Sequence, residues 1–90
     1  MLLSPNVSRH VETIDFLAAV RRMMRAAGRR VADADEHELA ELLAIRAEVD
    51  AAIDQAVRGW RAQDRSWAQI GAAAGMSKQA AFKRWSSTVG

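Results

Sequence analysis

The side chains best suited to chemistry in this chain gather near its C-terminal end. Ser77, Lys78, Gln79, Lys83 and Arg84 lie close together, with Arg65 and Ser66 just upstream. They do not form a nucleophile with its base; what they offer is recognition. A glutamine amide donates and accepts at once, as the edge of an adenine requires. Lysine and arginine neutralise phosphates, and binding of that kind falls steeply with salt. Residues 58–85 carry Arg58, Arg61, Arg65, Lys78, Lys83 and Arg84 against Asp64 alone. Phe82 sits among these polar groups, where it can meet a thymine methyl or pack against the protein itself.

Two short helices are needed to present these residues. In residues 66–86, SWAQIGAAAGMSKQAAFKRWS, Ser66 and Gln69 have the spacing of a capping box at the start of a first helix. Trp67, Ile70 and Ala74 follow on one apolar face. Gly71 suits a close approach by a second helix, and Gly75 suits the left-handed residue that ends the first. Met76 plugs the corner and Ser77 caps the second helix. Ala81 and Trp85, four apart, then point inward and leave Lys78, Gln79, Phe82, Lys83 and Ser86 on a different face.

This segment resembles the helix-turn-helix of small actinobacterial and phage DNA-binding proteins, and similar segments occur in resolvase-type and sigma-factor region-4-type domains. The residues that carry the resemblance are Ser66, Trp67, Ala68, Ile70, Gly71, Gly75, Ser77, Gln79, Ala80, Ala81 and Trp85. Phe82 departs from it, because many relatives have a polar residue there. The resemblance implies double-stranded DNA as partner. Ser77, Lys78, Gln79, Phe82 and Lys83 would then meet base edges or nearby phosphates, while Arg65 and Arg84 beside Ser66, with Arg61 as a further candidate, would hold the backbone. The bland alternative is a pair of helices joined at a glycine that never touches DNA.

Ninety residues allow one small domain or a tight pair of helical subdomains. Half of the residues are hydrophobic, but many of these are alanine, so a lone copy would bury a thin core. The net charge of +2 conceals three blocks: +4 over residues 1–32, −7 over residues 33–57 and +5 over residues 58–90. DNA would repel the acidic middle. Arg21, Arg22, Arg25, Arg29 and Arg30 can either pair with the acidic start of the next helix or form a second basic patch; the first is favoured.

The first helix is expected to start at Ser4-Pro5 and to stop at Gly28. It carries two apolar stripes. One runs through Val7, Val11, Ile14, Leu17 or Ala18, and Met24; the other runs through Phe16, Val20, Met23 and Ala27. Two stripes exceed what a simple hairpin needs, and the second is expected to be the contact of a homodimer. After a connection over residues 29–35, a long helix is expected at about 35–63, with Asp35 and Glu38 at capping-box spacing. Its seam is Leu39, Leu42, Val49, Ile53, Ala56 and Trp60, interrupted by Arg46. Gly59 would mark a bend or a close approach. Trp60, Trp67 and Trp85 are expected to anchor one small core.

The expected fold is therefore all-α: an N-terminal helical hairpin (residues 1–52, dimerising) running into a C-terminal three-helix helix-turn-helix unit (residues 53–90). The expected function is sequence-specific DNA binding by a homodimeric transcriptional regulator or phage-type repressor. Two other classes compete: a protein-interaction adaptor docking on the transcription machinery, and a DNA-architectural or recombination accessory factor. His10 and His37 stand alone, and no residue set suggests catalysis, a metal, a cofactor or a small-molecule ligand. Without cysteine there are no disulfides. With no apolar run of membrane-spanning length and no signal-peptide core at the start, the expected location is the cytoplasm and no membrane contact is expected.

Overall fold

The computed structural model describes the backbone of residues 5–89 and the side chains of residues 9–89. Among the described residues the chain is all-helical, with four helices and no strand: α1 (Pro5–Val31), α2 (Glu36–Ala62), α3 (Trp67–Ala74) and α4 (Lys78–Val89). No helix is long and apolar enough to cross a membrane among these residues. The chain divides into two compact units, with the boundary inside α2 between Leu43 and Ala44.

In the first unit α1 begins at Pro5, whose fixed φ suits a helix start; the expected cap, Ser4, lies outside the described residues, as does the side chain of Val7. The expected stop at Gly28 is corrected. Helix continues to Val31, and the N–H of Ala32 still donates to the Gly28 carbonyl at 3.0 Å. A glycine inside a helix costs about 1 kcal/mol but does not end it when its neighbours favour helix. Arg29 and Arg30 then occupy the last turn, where the helix dipole favours cations. The connection is shorter than expected and tight, with Asp33 N–H on Arg30 O at 3.2 Å and Ala34 N–H on Val31 O at 3.0 Å. Glu38 reaches back to accept the Asp35 N–H at 3.0 Å, so α2 opens on the expected carboxylate contact.

Neither apolar stripe of α1 is well covered. Val11, Ile14, Leu17 and Met24 from one, and Phe16 and Met23 from the other, are all exposed. Val20 and Ala27 are half-buried. At the start of α2, Leu39 and Leu43 are exposed and Leu42 is half-buried. Many of the half-buried positions on α1 are alanine (Ala18, Ala19, Ala26, Ala27), which removes little apolar area from water.

In the second unit the core is Val57 from α2, Ile70 from α3, and Ala81 and Trp85 from α4. Trp60, Trp67, Met76 and Val89 pack against it, so the three tryptophans do share one core. Gly59 marks no close approach: a Cβ there would meet nothing within 4 Å. The seam expected on α2 is only partly used, since Val49 and Ile53 are exposed.

Candidate nucleic-acid interface

Two successive left-handed turns set the helices that carry the candidate residues. The first ends α2. Asp64 takes φ 63°, its N–H donates to Arg61 O at 2.9 Å, and Arg65 N–H donates to Trp60 O at 3.1 Å. This is a Schellman motif with aspartate in the place usually given to glycine. Two arginine–tryptophan stacks brace it. The Arg65 guanidinium lies 4.4 Å from the Trp60 ring centre, and that of Arg61 lies 5.0 Å from the Trp67 ring centre. Arg61 Nη1 also donates to the Arg65 carbonyl at 2.7 Å.

The second turn joins α3 to α4. The Ser66 hydroxyl accepts the Gln69 N–H at 3.0 Å, and Gln69 Oε1 accepts the Ser66 N–H at 2.8 Å, so the capping box is complete. Gly75 ends α3 at φ 71°, with Met76 N–H on Gly71 O at 2.9 Å. Gly71 is buried where the chain turns back. A Cβ there would lie 2.7 Å from the Met76 carbonyl oxygen and 2.9 Å from that of Ser77. Only hydrogen fits without moving backbone. The Ser77 hydroxyl accepts the Ala80 N–H at 3.0 Å and starts α4.

On α4, Ala81 and Trp85 are buried. Gln79 and Lys83 are exposed and four residues apart, so they share the face turned away from that core. Lys78 and Arg84 are exposed on either side of it. Arg84 also lies 5.6 Å from the Trp85 ring centre. Phe82 packs against the protein, meeting Trp67 edge to face at 5.5 Å and 86°, yet stays 53% exposed. Ser66 and Arg65 are exposed at the α2–α3 turn. The α4 residues thus share one helix, whereas Arg65 and Ser66 stand on a separate turn whose arginine already stacks on a tryptophan.

One positioning contact was not foreseen. Asp54, one of the acids of the negatively charged middle block, is half-buried and accepts the Trp85 Nε1–H at 3.1 Å. The available signal was that a buried indole N–H needs an acceptor. Among the described residues no group of three or more His, Asp or Glu side chains is arranged to hold a metal ion. The face on α4 can donate and accept hydrogen bonds and can neutralise phosphate. No protein-family model, no curated protein and no solved structure matches the chain.

Proposed function

We propose that the chain binds double-stranded DNA sequence-specifically through α4, as a homodimeric transcriptional regulator. The observation that carries this reading is the division of α4. Ala81 and Trp85 are spent on the core, while Lys78, Gln79 and Lys83 stand free in its first two turns. The turn that leads into α4 also lies tight against α3, where Gly71 leaves room for the Met76 and Ser77 carbonyls. A rigid helix with a polar face and an exposed N-terminal end suits the major groove, and the positive end of its dipole favours phosphate.

In this reading Gln79 reads an adenine and Lys78 and Lys83 meet base edges or phosphates. Arg65 and Arg84 hold the backbone from guanidinium groups that lie 4.4 Å and 5.6 Å from the ring centres of Trp60 and Trp85. Residues 1–52 form a helical hairpin that pairs two copies, residues 53–90 form the three-helix reader, and α2 belongs to both. Pairing supplies two half-sites where one unit reads only a few base pairs.

The test is selection of bound fragments from random DNA by the full chain, followed by binding to the selected site. Gln79→Ala is expected to weaken binding to that site by roughly 5- to 100-fold with little change on random DNA. Absence of any DNA affinity at low salt would sink the reading, and a chain that instead retains a transcription protein would be the adaptor.

A further inference from the structure

We infer that two copies of this chain pair through antiparallel α1 helices in one register, with Glu12 of each copy beside Arg30 of the other. The inference rests on the pairing proposed above and adds its surface, direction and charge code. Phe16 and Met23 are 68% and 64% exposed, the most exposed large hydrophobic side chains among the described residues. At 3.6 residues per turn, Phe16, Val20, Met23 and Ala27 fall within about 60° of one another along α1. The competing stripe of Val11, Ile14, Leu17 or Ala18, and Met24 does not persist as one face: Val11, Ile14 and Ala18 continue into Arg21, Arg25 and Arg29, and Leu17 and Met24 lie about 90° round the helix from them. Self-pairing there would press arginine onto apolar side chains or onto arginine.

The Phe16–Ala27 stripe is symmetric about the level of residues 21 and 22. Turned antiparallel on itself, it sets Phe16 opposite Ala27 and Val20 opposite Met23, large against small at the ends. A two-fold interface repeats each contact. Glu12 and Arg30 are about five turns apart and so project from the same flank of the stripe, about 50° from its centre. In an antiparallel pair, residues on the same flank meet. The level at which Glu12 meets Arg30 differs by about 1.5 Å, one residue of rise, from the level that the apolar pairs require. The two criteria, one apolar and one ionic, select the same register. Arg9 also falls in line with the stripe, but its opposite level lies past the end of the helix at Val31. Arg21, Arg22, Arg25 and Arg29 remain on the outer face.

The register is tested on the full chain by sedimentation equilibrium at low salt, with circular dichroism to verify helix content. The wild-type chain is expected at twice its monomer mass, and Phe16→Asp as monomer. Glu12→Arg and Arg30→Glu should each weaken pairing by roughly three- to tenfold, since each change places two like-charged contacts in the dimer. The double reversal should restore wild-type affinity, and high salt should flatten all three differences. A wild-type chain that remains monomeric at millimolar concentration overturns the pairing and the register together. A wild-type dimer whose double reversal is no tighter than the single ones overturns the register alone, and neither result bears on DNA binding by α4.

Discussion

Trp85 donates its indole N–H to the Asp54 carboxylate at 3.1 Å, joining residues 31 apart in sequence and fastening α4 to α2. The contact lies on the inner side of the helix whose outer side carries Gln79 and Lys83. The same tryptophan that fills the core therefore fixes how the polar face is presented.

Removing the acceptor should cost stability. Asp54→Ala leaves a largely buried N–H without its partner, and a loss of about 1–3 kcal/mol is expected in urea unfolding. Asp54→Asn keeps a carbonyl acceptor and should lose less than half as much. Equal losses for the two would show that the hydrogen bond is not what holds α4.

Two glycines should respond in opposite directions. Gly71→Ala forces a methyl group to within 2.7 Å of a backbone oxygen, and a loss of about 1–3 kcal/mol is expected. Gly59→Ala meets nothing within 4 Å in a helix interior and should gain about 0.5–1 kcal/mol. Thermal melts of both variants check the contrast.

Arg61→Lys separates a structural from an electrostatic role. Charge is kept, but the guanidinium contact with the Trp67 ring and the Nη1 bond to the Arg65 carbonyl are lost. A loss of about 1 kcal/mol without any DNA present is expected. An unchanged midpoint in chemical denaturation would show that neither contact holds the fold.

Lysine and glutamine on α4 should differ in how salt affects them. Lys83→Ala is expected to lower the slope of log affinity against log salt by about one and to weaken all sequences alike. Gln79→Ala should leave the slope unchanged. Binding isotherms at several salt concentrations on the selected site and on random DNA measure both.

The parts of the fold legible in sequence were those governed by neighbours along the chain. Ser66 with Gln69, Gly75, Ser77, and Ala81 with Trp85 each follow a short-range rule, and each sits where its rule puts it. Asp64 obeys a local rule too, but aspartate usually marks a charge or a cap, and nothing beside it flags a left-handed turn. Gly28 misled in the opposite sense, since a glycine ends a helix only when the chain must turn there. Asp54 was hidden among acids of the same type, because its distinction is a partner 31 residues away. The pattern on α1 was visible, but whether a stripe is covered is a property of packing, and Phe16 and Met23 lie open.

All three tryptophans fall in residues 60–85, around a single core, while α1 has none. The chain thus contains an intrinsic optical reporter for one unit and none for the other. Indole emission follows the second unit alone, whereas far-ultraviolet ellipticity is dominated by the two 27-residue helices. Any independence between the two units is accordingly observable without a label, as a separation between the two signals during a single unfolding titration.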